Sequence, residues 1–136
     1  MIKFWHKRLS NISPKARIGD GSVIHASVHI HDDVAIGENC KVEAGALLFN
    51  GVIIEDDVFI GPGVITTNDK DLGKDFKITK TVIRQGAKIG AGSILVCGIT
   101  IGNNAVVGAG SLVTKNIPDE ELWFGSPAKF VRSLKE

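Results

Sequence analysis

Neither sign of charge dominates this chain: 16 Lys and Arg residues stand against 15 Asp and Glu. That balance gives no basic surface of the kind a nucleic-acid partner needs. No apolar run is long enough to span a bilayer, and there is no secretory h-region. The opening segment 1–11 (MIKFWHKRLSN) mixes basic and aromatic residues but is too short and polar for a signal peptide. It reads as a lead-in that covers the first open edge of the fold, with membrane contact through Phe4 and Trp5 as the sharper alternative. Cysteine is scarce, and Cys40 and Cys97 have no metal-ligand spacing. They point to a reducing cytoplasm. Histidine is confined to His6, His25, His29 and His31. At 136 residues the chain is expected to form one domain, 1–136.

What the chain does have is a period of six. An aliphatic residue recurs at Ile18, Ile24, Ile30, Ile36, Val42, Leu48, Ile54 and Ile60, with Thr66 in the ninth slot. After one break the series resumes at Ile83 and runs through Ile89, Leu95, Ile101, Val107 and Val113. A mostly small residue stands two positions before each, as at Ser22, Cys40, Ala46, Ala87, Ser93 and Ala105. Neither a helical nor a simple strand period gives this pattern, whereas a parallel β-helix does. Residues two apart in a strand share a face, so both members of each hexad point inward. Gly and Asn between them suit sharp corners, as in Gly61-Pro62-Gly63 and Gly102-Asn103-Asn104. Three strands and three corners close one coil of eighteen residues. The expectation is an all-β fold of about five coils spanning about 12–116. The period does not fix the hand, which general crossover rules would make right-handed.

The break, 68–80 (NDKDLGKDFKITK), is charged and contains glycine, so it reads as a loop extruded at one corner. Loops on rigid solenoids often carry function. Residues 117–136 read as a short C-terminal tail. Stepping by eighteen places His29, Leu47, Ile65, Ile94 and Leu112 outward on one face. A solvated face should be polar outside, so four large aliphatics in a column imply a partner surface. Closed cyclic association would cover it; the alternative is cover by the chain's own tail.

The strings EDDVFIGPGVITTNDK (55–70), TVIRQGAKIGAGSILVCGITIGNNAVVGAGSLVTKNIPD (81–119) and FGSPAK (124–129) resemble the hexapeptide-repeat acyltransferases. Within that superfamily they look most like the N-acetyltransferases that act on 3-amino sugars linked to UDP or dTDP. The resemblance covers roughly 16–132. It implies a left-handed β-helix, a homotrimer, and acetyl-CoA bound in a groove between neighbouring subunits. It also implies a sugar at the inner end of that groove, near Thr67-Asn68. The chain departs from the family where Glu43-Ala44-Gly45 replaces a Q-N-N string. It departs again where Asp71-Leu72-Gly73-Lys74 follows the N-D pair in place of a proline and an arginine. These departures bear on the identity of the sugar more than on the reaction type.

Acetyl transfer from a thioester needs a nucleophile, a route for its proton and donors for the developing oxyanion. Relatives that acetylate hydroxyls often place a histidine just past the Gly-Pro segment; this chain has Asn68-Asp69 there. Asparagine is no base at neutral pH, and an amine needs less help than a hydroxyl. The gap therefore favours N-acetylation. Asn68 is expected to position the amine or donate to the thioester carbonyl, and Asp69 to accept a proton or contact the sugar. Thr67, Asn50 one coil below Asn68, and His29 near a subunit boundary are the expected substrate contacts. Corner residues Ala91, Gly92, Ala109 and Gly110 leave backbone open for a pantetheine arm. Lys115, Lys129 and Arg132 are the expected partners of the CoA phosphates. His25, His29 and His31 lie within one coil, but His25 sits at a different corner from His31 and the outward face carries His29, so no metal is expected. The expected activity is acetyl-CoA-dependent N-acetylation of a nucleotide-linked amino sugar. O-acetylation of a sugar and a non-catalytic scaffold are the alternatives.

Overall fold

Each hexad yields one strand of two or three residues, because the corner residues on either side turn the chain before the strand can lengthen. The computed structural model describes residues 1–74 and 77–136. The strands fall into three sheets in which every pairing between coils is parallel. Leu47–Leu48, Ile65–Thr66, Ile94–Leu95 and Leu112–Val113 belong to the second sheet, together with Asn11–Ile12 and His29–Ile30. The first sheet runs from Lys3–Phe4 to Glu121–Gly125, and the third from Arg17–Ile18 to Thr100–Ile101. No helix among the described residues is long and apolar enough to cross a membrane.

Register explains both the expected coils and two that the six-residue period hides. Lys41 pairs with Phe59, a step of 18 residues. Lys3 pairs with Val23, a step of 20, because a 3-10 turn at Lys7–Leu9 adds two residues to the first coil. Val107 pairs with Trp123, and Ile101 bridges Ile117, steps of 16. The stack is therefore about seven coils, not five, and segment 1–11 supplies the first strand and first corner of the opening coil. Glu121–Gly125 continues the first sheet in parallel, and Ala128–Ser133 returns antiparallel beside it.

The inward residues make one continuous core. Ile24, Leu48, Ile60, Ile83, Ile89, Leu95 and Ile101 are fully buried. Each such side chain contributes about 1.5–3 kcal/mol by leaving water. Small inward hydroxyls are used rather than wasted. Ser22 Oγ donates to the Gly37 carbonyl and accepts from the Cys40 amide, binding two coils together. Cys40 and Cys97 are both buried thiols, and burial is the main influence pushing the Cys40 thiol up from its ordinary pKa.

The outward column on the second sheet is continuous. Leu47 pairs with Ile65, Ile65 with Ile94, and Ile94 with Leu112. The C-terminal hairpin does not cover it, because that hairpin joins the first sheet.

Candidate functional site

The extruded loop leaves the corner between the second and third sheets. Across it the register lengthens: Phe59 pairs with Lys88 and Ile65 with Ile94, steps of 29 residues. Residues 75–76 of the loop lie outside the described residues. Three threonine hydroxyls flanking the excursion hold backbone amides of neighbouring coils. Thr66 Oγ1 accepts from the Phe49 amide at 3.0 Å, Thr67 Oγ1 from the Cys97 amide at 2.8 Å, and Thr81 Oγ1 from the Gly98 amide at 3.2 Å. Two glycines give the loop its seat. A Cβ on Gly51 would lie 2.6 Å from Ile78 Cγ2, and one on Gly98 would lie 2.9 Å from Lys70 Nζ.

Asn68 and Asp69 sit at the loop's root and face different tasks. The Asn68 side-chain amide donates to Oδ1 of Asn50, one coil below, and the Asn68 main-chain carbonyl accepts from the Thr79 amide at 3.1 Å, closing the neck. Both Asp69 oxygens accept from the loop's own backbone: Oδ1 from the Asp71 amide at 2.9 Å and Oδ2 from the Gly73 amide at 2.5 Å. Asp69 therefore organises the loop first. Thr67 has its hydroxyl committed to Cys97 and, at 3.4 Å, to the Leu95 carbonyl. Beside these residues is a shallow dent of about 340 Å³ lined by Phe49, Ile65, Thr66, Thr67, Asn68, Asp69 and Leu72.

Phe49 and Leu72 are the members that sequence reasoning missed. Phe49 stands out as an aromatic at a corner position. Leu72, 93% exposed, stands out as an apolar residue in a charged loop. Phe49 extends the dent downward: His31 packs on it with ring centres 4.6 Å apart, and His29 lies 4.3 Å from His31. Burial, and then the neighbouring His29, hold the His31 imidazole below its ordinary pKa against a smaller upward pull from Asp32. His25 lies at another corner, paired with Glu43 at 3.2 Å. No group of three metal-ligating side chains occurs among the described residues.

The expected cofactor residues lie across the second sheet from Asn68. Ala91, Gly92, Ala109 and Gly110 form the corner between the first and second sheets and are all exposed. Their coils are locked by amides of Gly92 and Gly110 donating to the carbonyls of Pro62 and Ala91 at 2.8 and 2.7 Å. Open space lies above Gly92 and Gly110, whereas a Cβ on Gly90 would meet the Ala109 amide nitrogen at 2.5 Å. The corner is thus a narrow, bare backbone ridge. Lys129, paired with Phe124, stands near its upper end. Arg132 pairs with Leu122 further along the hairpin, and Lys115 follows Leu112–Val113 on the loop side. The three cations do not meet at one point. Within one chain the apolar column separates the glycine ridge from the loop.

Residues 15–50 and 80–115, just over half of the chain, match the family described as bacterial transferase hexapeptide (six repeats). The chain belongs to this family. The segment between the matches, 51–79, holds all but the last residue of the extruded loop. A stretch of 67 residues is 36% identical to the bifunctional protein GlmU of Thermodesulfovibrio yellowstonii, covering 49% of this chain and 15% of that protein. A histidine-to-asparagine variant of perosamine N-acetyltransferase from Caulobacter crescentus, solved with CoA and GDP-perosamine, superposes with a TM-score of 0.84 at 27% identity. It covers 97% of this chain and 58% of its own. The acetyltransferase domain of PglB from Neisseria gonorrhoeae, solved with acetyl coenzyme A, superposes at 0.83 with 25% identity, covering 96% of this chain and 57% of that one. The chain therefore spans little more than half of these solved neighbours and a small part of the curated relative.

Proposed function

We propose that this protein transfers an acetyl group from acetyl-CoA to the amino group of a nucleotide-linked amino sugar. The observation that carries the reading is the loop-side dent, where a half-buried asparagine amide stands and the described lining offers no imidazole. The solved neighbours bound to CoA or acetyl-CoA, one of them also to GDP-perosamine, support it. In the step, the neutral amine attacks the thioester carbonyl carbon and negative charge gathers on the carbonyl oxygen. The C–S bond then breaks, the sulfur leaves as CoA thiolate, and the proton lost from nitrogen reaches it through solvent. Asn68 orients the amine or donates to the oxyanion, and holding the two reactants together supplies much of the rate.

The active assembly in this reading is a homotrimer. The column Leu47, Ile65, Ile94 and Leu112 packs against a neighbour. The ridge at Ala91-Gly92 and Ala109-Gly110 of one chain then faces the loop of the next, with acetyl-CoA between them. Lys115, Lys129 and Arg132 meet the CoA phosphates, Thr67 contacts the sugar beside Asn68, Asn50 bonds Asn68 from the coil below, and His29 reaches the acceptor from the subunit boundary. No metal takes part, and the reaction belongs in the cytoplasm, where nucleotide sugars are made.

Isothermal titration with CoA tests the enzyme reading against a scaffold. Acetylation of a panel of UDP-, dTDP- and GDP-linked amino sugars, beside the matching hydroxyl sugars, tests the acceptor. Turnover of the hydroxyl sugars alone would replace the reading with O-acetylation. That second reading draws on His31, whose burial favours a neutral imidazole able to take a proton.

A further inference from the structure

Residues 1–19 carry Lys3, Lys7, Arg8, Lys15 and Arg17 and no Asp or Glu. The other eleven cations therefore share the rest of the chain with all 15 carboxylates. A protein of nearly zero net charge is divided into a basic end and an acidic body. The fold keeps that division in space. Lys3–Phe4, Asn11–Ile12 and Arg17–Ile18 are the terminal strands of the three sheets, so these residues form one end of the stack. All five cations are exposed. Among the described residues the close contacts between basic and acidic groups are those of the terminal amine with Asp20 and of His25 with Glu43, so none of the five cations has a carboxylate within 4.0 Å.

The same end exposes apolar surface. Leu9 is 65% and Trp5 45% exposed, whereas Phe4 turns inward onto the core. Trp5 is held in place: its ring stacks on His25 at 6.0 Å and 9°, and Lys3 Nζ lies 4.5 Å from its centre. Below, Phe4, Ile12 and Ile18 look out through an open dent of about 360 Å³ rimmed by Lys7. This face is thus apolar with a basic rim.

We propose that this end docks on an anionic lipid membrane. Lipid phosphates match the cations, and the headgroup zone suits a fixed Trp and an exposed Leu. One fixed Trp and one exposed Leu among five cations are too little apolar surface to enter the hydrocarbon. The surface therefore rests at headgroup depth and does not insert. A nucleic acid would use the cations but would leave Leu9 and Met1 without a partner. This inference is independent of the acetyl-transfer reading.

The test is co-sedimentation of the full chain with vesicles of phosphatidylcholine alone and with roughly one-third phosphatidylglycerol. Binding to the anionic vesicles, none to the neutral ones, and release in about 1 M salt are expected. Each lost cation should weaken binding about fivefold, so Lys7→Ala with Arg8→Ala should cost about 25-fold. Because Lys7 also lies 4.9 Å from the Phe4 ring centre, the pair Lys15→Ala with Arg17→Ala serves as a second, corner-side reading of the same loss. Equal binding to both vesicle types, or none to the anionic ones at low salt, would overturn the proposal. So would full binding by both variants, or a DNA duplex bound as tightly as the anionic vesicles.

Discussion

Asn68→Ala removes a bond between coils and, on the proposed mechanism, a group at the reacting centre. The two losses separate by comparison with Asn50→Ala, because the Asn68–Asn50 side-chain hydrogen bond is broken equally in both variants. That bond is worth about 1 kcal/mol, a shift of a few degrees in Tm for a chain of this size. Loss of an oxyanion or positioning donor costs on the order of 10²-fold in kcat. Asn68→Ala should therefore lose about 10²-fold in kcat while melting close to Asn50→Ala, which should keep most of its rate. The residual rate of Asn68→Ala should rise with pH as the substrate amine deprotonates. Steady-state acetylation of an amino-sugar nucleotide and thermal melts of both variants provide the numbers. Equal rates in the two variants would reduce Asn68 to a brace for the loop. A bell-shaped profile needing an enzyme group near pH 6–7 would point to a histidine.

Ile94→Asp would bury an unpaired charge in the proposed interface, and light scattering should show the assembly dissociating; a wild-type chain that is already monomeric at micromolar concentration refutes that interface. Deleting residues 70–79 should abolish acceptor turnover while leaving a cooperative melt, since the strands on either side pair directly across the excursion; unchanged turnover makes the loop a bystander. His31 has a folded pKa below its ordinary value, so the unfolded chain binds the proton first as pH falls. Its contribution to stability is full above about pH 6.5 and is lost as pH drops from there towards the folded value; His31→Gln should flatten that limb of the denaturant midpoints, and an unaltered limb rejects the assignment.

The hexads from Ile18 to Val113 were legible because each coil is built from local, repeated choices: an aliphatic, a small residue and a corner former. That same locality hid the end coils. Two extra residues at the Lys7–Leu9 turn and two fewer before Ile117 put Phe4 and Trp123 out of phase while their strands still pair. The loop's position was legible as a break in phase, but its internal bonding was not. Nothing in the string NDKD says that Asp69 accepts from two of its own loop's amides. Thr66 occupied an aliphatic slot, and its reason appears once its hydroxyl is seen holding the Phe49 amide. Phe49 and His31 escaped notice as a pair because stacking between coils depends on ring orientation, which a period of eighteen does not encode.

The separation of the glycine ridge from Asn68 makes a final prediction. The second sheet and its apolar column lie between them in one chain. If acetyl-CoA lies on the ridge of one subunit and reacts at the loop of the next, a cyclic head-to-tail trimer builds each site from two different chains. Ala109→Trp would block the ridge with bulk at an exposed corner, leaving that chain's loop intact. Asn68→Ala leaves the ridge intact. Each variant alone assembles only defective sites. Co-expressed in equal amounts and mixed at random, they should form a whole site wherever the loop of an Ala109→Trp chain meets the ridge of an Asn68→Ala chain. That is the product of two even chances, about one quarter of the sites. Activity near a quarter of wild type, per trimer, is the expected result. Recovery no higher than Asn68→Ala alone would mean that ridge and loop serve each other within one chain, and the shared-site geometry would be wrong.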